Sequence, residues 1–142
     1  DNFRYCFVSY NKEYPATLKL NLINNKLTIK DGHKKISIKT IKVKHGNVDS
    51  VCYIIDNKLA YISDVSEILK KDFKHLKNLD YIILDCLWIN YHPSHLNLEE
   101  SISLINKLKP KKAILTNLHI DLDFLIHRWK NYCYIDLLLV ET

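Results

Sequence analysis

A mixed α/β (α+β) fold, with helices packed against a β-sheet, is predicted by three features of the chain. Between Thr17 and Asp64 several segments alternate apolar and polar residues, the period of half-buried strands. Two short runs further on, Tyr81-Ile82-Ile83-Leu84-Asp85 and Ala113-Ile114-Leu115-Thr116, are continuously apolar, as central strands covered on both faces are. Around these runs apolar residues recur at helical spacing. Meandering strands followed by strand, helix, strand, helix imply helices laid on a mixed sheet.

In order, Thr17-Leu18-Lys19-Leu20-Asn21-Leu22-Ile23 and Leu27-Thr28-Ile29-Lys30 read as a β-hairpin with Asn24-Asn25 as its turn. After an Asp31-Gly32 turn, Lys35-Ile36-Ser37-Ile38-Lys39 and Thr40-Ile41-Lys42-Val43-Lys44 continue the alternation to His45-Gly46. Val51-Cys52-Tyr53-Ile54-Ile55, a turn at Asp56-Asn57 and Lys58-Leu59-Ala60-Tyr61-Ile62-Ser63-Asp64 complete a meander. From Val65 the period changes. Ile68, Leu69, Phe73, Leu76 and Leu79 suit one or two short helices with lysines outside. Leu96, Leu98, Ile102, Ile105 and Leu108 mark a further helix, with Asn97 as its N-cap, Glu99-Glu100 near its positive end and Pro110 to stop it. A helix over 122–129 and closing strands over 133–135 and 137–140 follow.

Composition narrows the class. With 47% hydrophobic and 26% charged residues, the 142-residue chain lies at the globular average and away from disorder. It is long enough to bury about 70% of its unfolded surface, as one domain or a large part of one. The net charge of +5 is carried almost entirely by scattered lysines. It suits a solvated face or an anionic small molecule; as a signal for nucleic acid it is weak, because no basic-aromatic cluster accompanies it. Cys6, Cys52, Cys86 and Cys133 form no C-x-x-C pair and sit in apolar runs, as buried reduced thiols do. No leader peptide and no apolar run near eighteen residues is found, so a cytoplasmic location without a membrane is expected. The chain has no methionine and begins at Asp1, from which an upstream portion is expected.

In sheets covered by helices, chemistry collects in loops leaving the carboxyl ends of strands. Four such loops open with metal-ligating or proton-transferring groups: His45, Asp64, His92 with His95, and Asn117 with His119. Each has a plainer reading. His45 beside glycine suits a turn, Asp64 a helix cap, His92 before proline a structural role, and Asp85 a loop carboxylate or a partner that orients a ligand histidine. His33, His75 and His127 read as surface residues, and Trp88, Tyr91 and Trp129 as packing or loop anchors.

Lys44-His45-Gly46, Ala60-Tyr61-Ile62-Ser63-Asp64-Val65-Ser66, Leu84-Asp85-Cys86, His92-Pro93-Ser94-His95-Leu96 and Ile114-Leu115-Thr116-Asn117-Leu118-His119-Ile120-Asp121 resemble the metallo-β-lactamase-fold hydrolases. The resemblance is strongest to the branch of the phosphonate-pathway cyclic phosphate phosphodiesterase, and more distant to RNase Z. It implies an αββα sandwich, of which this chain would be mainly the C-terminal half. The family's H-x-H-x-D-H motif is absent, so a missing N-terminal half is expected to hold it. By the resemblance, His45 and Asp64 are metal ligands, Asp64 bridging two divalent ions, and His95 is catalytic, contacting phosphate and assisting the leaving oxygen. Zinc and manganese both suit such ligands. The family has histidine directly after the threonine where this chain has Asn117; asparagine ligates zinc poorly, so His119 is taken as the last ligand through a shifted loop, with Asn117, Asp85 and His92 as alternative or supporting groups.

The expected function is hydrolysis of a small cyclic or nucleotide-like phosphodiester at a binuclear centre, incomplete in this chain, which by itself should bind metal weakly or not at all. Two other readings stand beside it. One is a non-catalytic truncated or split module acting in assembly, for instance as a homodimer, through an open sheet edge. The other is RNase Z-like RNA processing, which predicts a steep salt dependence of RNA affinity.

Overall fold

The computed structural model describes residues 3–10, 12–122 and 140–141. Seven strands form one sheet in sequence order: β1 (Lys26–Asp31), β2 (Lys34–His45), β3 (Val48–Ile55), β4 (Leu59–Ile62), β5 (Tyr81–Asp85), β6 (Lys112–Thr116) and β7 (Val140–Glu141). The first four are antiparallel neighbours; β4, β5 and β6 run parallel, and β7 returns antiparallel. The parallel step from β5 to β6 is bridged by α1 (Leu98–Leu108). A parallel neighbour needs such a crossover, whereas the antiparallel pairs close with tight turns.

Both leading hairpins turn on a glycine. Gly32 (φ +54°) lies between the paired Asp31 and Lys34, and Gly46 (φ +61°) between the paired His45 and Val48. Each takes the first loop position, where a two-residue turn of the II′ kind needs positive φ. The Asp56-Asn57 turn also forms, with both residues in the left-handed region. The first hairpin differs from expectation. Residues 17–23 are irregular and Leu22 is 94% exposed, because β1 pairs with β2 around Gly32 rather than folding back at Asn24-Asn25. Alternation marks a chain able to be a strand, but here no partner ladder is offered, and the Thr17 and Leu18 amides donate to the Cys6 carbonyl instead.

The core lies on one face of the sheet. Ile41 and Val43 of β2, Cys52 and Ile54 of β3, Ala60 and Ile62 of β4, Ile82 and Leu84 of β5, and Ala113 and Leu115 of β6 pack under Ile105 and Leu108 of α1 and under Val65, Leu76 and Leu79. Alternate residues point the other way. There Tyr53, Tyr61 and Tyr81 are 36%, 39% and 45% exposed, so among the described residues β5 is covered on one face rather than the expected two. The expected helices between 65 and 79 reduce to one 3-10 helix, Lys70–His75. Residues just before it are tied to the sheet: Lys44 N–H donates to the Glu67 carbonyl and Ser66 N–H to the Lys44 carbonyl, which removes them from any helical ladder. The α1 start is built as expected on Asn97, which caps Glu100 N–H while the Glu100 carboxylate accepts from Asn97 N–H. Lys109 in the left-handed conformation ends α1 just before Pro110. Most of the expected helix over 122–129, the strand over 133–135 and the start of that over 137–140 lie outside the described residues, as do His127, Trp129 and Cys133. Among the described residues no helix is long and apolar enough to cross a membrane.

Two predictions come from this packing. Burial pushes the Cys52 thiol up to about 12 and the Cys86 thiol up to about 11, so neither forms thiolate near pH 8 while the core is closed. Alkylation at pH 8 followed by peptide mapping should find both unlabelled in the native chain and labelled in urea; native labelling of Cys52 would contradict the core described. Gly46→Ala and Gly32→Ala should each lose about 1–2 kcal/mol from the left-handed backbone. Gly46→Ala should lose more, since its added Cβ would stand 3.1 Å from Ser94 Cβ whereas none meets Gly32. Urea midpoints of the two variants measure the difference.

Candidate metal centre

The strand directions decide where the polar residues meet. Because β4, β5 and β6 are parallel and β2 is two antiparallel steps from β4, the carboxyl ends of all four lie on one rim of the sheet. His45 ends β2, Asp64 lies two residues past β4, Asp85 ends β5, and Asn117 follows β6. His95 reaches the same place from the loop between β5 and α1, which Gly46 lets approach the β2–β3 turn.

Three groups converge. Ligand atoms of His45, Asp64 and His95 all lie within 4.8 Å of one another. The His45 and His95 Nε2 atoms are 3.1 Å apart, their rings edge to face. Two nitrogens on one tetrahedral ion at about 2.0–2.1 Å would be separated by roughly 3.3 Å, so these imidazoles are spaced as ligands of a common cation are. Two imidazoles and a carboxylate are also a donor set that zinc, manganese or iron accepts. The residues present fit a divalent ion.

Behind them stands Asp85, fully buried. Its Oδ2 accepts from His95 Nδ1 at 2.8 Å, from Val65 N–H at 3.3 Å and from Leu96 N–H at 3.4 Å. Donation from Nδ1 leaves His95 Nε2 with its lone pair facing His45, the orientation a carboxylate–histidine–metal arrangement requires. There it accepts from His45 Nε2–H at 3.1 Å until a cation takes that proton's place. Burial pushes the Asp85 carboxyl upward, against the opposing pull of His95, the Val65 amide and Asn117. Ser101 Oγ donates to the Asp85 carbonyl at 2.8 Å, tying α1 to the same point.

Asp64 is held on both oxygens. Ser63 Oγ lies 3.0 Å from Oδ2, and the Asn117 amide nitrogen 3.4 Å from Oδ1. The same amide nitrogen is 2.9 Å from Asp85 Oδ1 and also donates to the Ser63 carbonyl. Asn117 takes φ +62°, a left-handed conformation asparagine tolerates, and this turns its side chain between the two carboxylates.

His119 is not part of the cluster. Its ring lies against Trp88 with centroids 5.6 Å apart, its Nδ1 is 3.2 Å from Asp121 Oδ2, and its N–H donates to the Leu87 carbonyl. The loop shift expected from sequence is not what the structure shows: the position after Thr116 itself reaches the site, as asparagine. His92 stands one layer away, its ring 5.2 Å from that of His95 and its Nδ1 accepting from Ser94 N–H. Sequence reasoning missed Ser63 as the partner of Asp64, and it named Asn117 as an alternative or supporting group without placing its amide between the two carboxylates. Neither leaves a signal beyond adjacency, since Ser63 reads as the tail of a strand.

Residues 2–120 match the Beta-lactamase superfamily domain. No curated protein matches the chain. Among solved structures, a diphosphatase from the PhnP family is 28% identical with a TM-score of 0.61, over 69% of this chain and 37% of that one. The metallo-β-lactamase fold protein YhfI from Bacillus subtilis is 17% identical with a TM-score of 0.60, over 92% of this chain and 55% of its own. The short form of human tRNase Z is 13% identical with a TM-score of 0.55, over 68% of this chain and 40% of its own. The last two likenesses are of fold alone, and the chain spans about half or less of the length of all three. With a family match over residues 2–120 and a sheet shared with these structures, the chain belongs to the β-lactamase superfamily and has the metallo-β-lactamase fold.

Proposed function

We propose that the chain is part of a metal-dependent hydrolase acting on a small phosphodiester or diphosphate, cyclic or nucleotide-like. The observation that carries this reading is the convergence of His45 Nε2, an Asp64 oxygen and His95 Nε2 on one rim, with Asp85 fixing the His95 ring. A divalent ion held there, zinc or manganese, would lower the pKa of a bound water toward about 7 and act as a Lewis acid for phosphoryl oxygens. The chain's own residues offer two imidazoles and one carboxylate, His45 Nε2 giving up the proton it shares with His95 Nε2 when an ion enters, and hold them in register before substrate arrives. The 28% identical diphosphatase supports phosphorus chemistry. The remaining ligands, including a second-ion site, are assigned to an H-x-H-x-D-H segment in the rest of the domain.

A second reading, an assembly module without catalysis, draws on the outer sheet face bearing Tyr53, Tyr61 and Tyr81. Sedimentation separates the two: a chain that is monomeric at all concentrations removes the assembly reading.

The function is tested by assaying cyclic nucleotides, diester dyes and nucleoside diphosphates with the chain alone and with the chain supplied with a segment bearing H-x-H-x-D-H. Hydrolysis is expected only in the second case, abolished by EDTA, restored by zinc or manganese, and lowered at least about 100-fold in kcat/KM by Asp64→Asn. Chelator-resistant turnover, or none in either case, overturns the proposal. Asp85→Asn keeps the shape but loses one acceptor oxygen beside His95. It should weaken zinc affinity by about 10- to 100-fold, read by calorimetry.

A further inference from the structure

Asn117 stands where the resemblance places a histidine ligand, and its surroundings settle which end of the amide faces the site. Three acceptors surround it: the Ser63 carbonyl, Asp64 Oδ1 and Asp85 Oδ1. Only the NH2 group can face three oxygens, since the amide oxygen there would meet lone pair against lone pair. A group that donates its hydrogens to carboxylates cannot offer a cation the lone pair a ligand needs. His95 meanwhile presents Nε2 at 3.1 Å from His45 Nε2, its proton held on the far nitrogen by Asp85.

We infer that in this chain His95 has become the third ligand of a one-cation site with His45 and Asp64, and that Asn117 is an amide clamp joining the Asp64 and Asp85 carboxylates. The clamp carries two consequences. It orients Asp64 and neutralises part of the repulsion between two carboxylates that one NH2 group bridges. It also leaves no lone pair at the β6 end, and among the described residues His45, Asp64 and His95 form the one cluster of ligand groups able to hold an ion. His95 is thereby committed to binding rather than to proton delivery, in contrast to the role its place in the family motif suggests. The inference rests on the metal-binding part of the proposed function and not on turnover.

The test uses the whole chain labelled with 15N-histidine, titrated with zinc, and separately with cobalt(II) for its visible bands. Of the seven histidines, His45 and His95 should move to metal-bound nitrogen shifts, both complete at one zinc per chain. His95→Gln should leave the His45 response but weaken binding by more than the roughly 10- to 100-fold that loss of a supporting group costs, because a donor itself is removed. Asn117→Ala should weaken binding by at most about 10- to 100-fold and leave the wavelengths of the cobalt bands unchanged, because the ligand set is the same. A His95 signal that stays put while His45 shifts, saturation at two ions per chain, or cobalt bands altered by Asn117→Ala would each overturn the inference. If His95→Gln does not fold by circular dichroism, the wild-type histidine shifts decide alone. One-to-one binding without hydrolysis in the completed domain leaves this inference standing and removes the function; hydrolysis with an unmoved His95 does the reverse.

Discussion

The buried carboxylate of Asp85 is the point at which the separate parts of this rim are joined. Removing an anion from water is costly, and the cost is met only if its oxygens are filled by donors. Here the donors come from three different segments: the Val65 amide after β4, His95 and the Leu96 amide before α1, and Asn117 after β6. The unfavourable burial shows in the upward push on its carboxyl, and the compensation shows in His95, the Val65 amide and Asn117 pulling it back. A residue that must be satisfied from several directions fixes those directions, which is how one aspartate orients an imidazole, a strand end and an amide together.

The sheet supplies the frame. Its core face is closed by α1 and the 65–79 segment, and the strands beneath carry fully buried Ile54, Ile62, Ile82 and Leu84. The site is at the carboxyl edge of this packed face, where the backbone turns away and polar side chains can converge without burying unpaired groups; among the described residues no buried side-chain polar atom lacks a partner. Rigidity under the site and irregular backbone above it is the arrangement that holds ligands in place without crowding a substrate.

Much of this could be read from local pattern. The β2 alternation, the apolar runs of β5 and β6, the Asp56-Asn57 turn and the Asn97–Pro110 helix limits are set by near neighbours, so a single chain announces them. Residues 17–23 show where that fails: their alternation is as good as that of β1, but a strand exists only if another offers it a ladder, and the ladder went elsewhere. The helices expected after Val65 failed for a related reason, as Ser66 and Glu67 bond to Lys44, more than twenty residues earlier.

The site divides in the same way. By itself the sequence determined the residue types able to ligate a cation, their place at strand ends, and hence that His45, Asp64, Asp85, His95 and the Asn117–His119 segment were the groups to watch. Only the tertiary structure decided which of them meet: it turned Asn117 inward through a left-handed backbone, set His119 against Trp88, and brought His95 Nε2 to His45 across fifty residues of chain. The reason is physical. Chemical capacity belongs to a side chain, but distance and the direction of a lone pair depend on strand order, turn geometry and the partner that holds each ring, and those are properties of the folded whole.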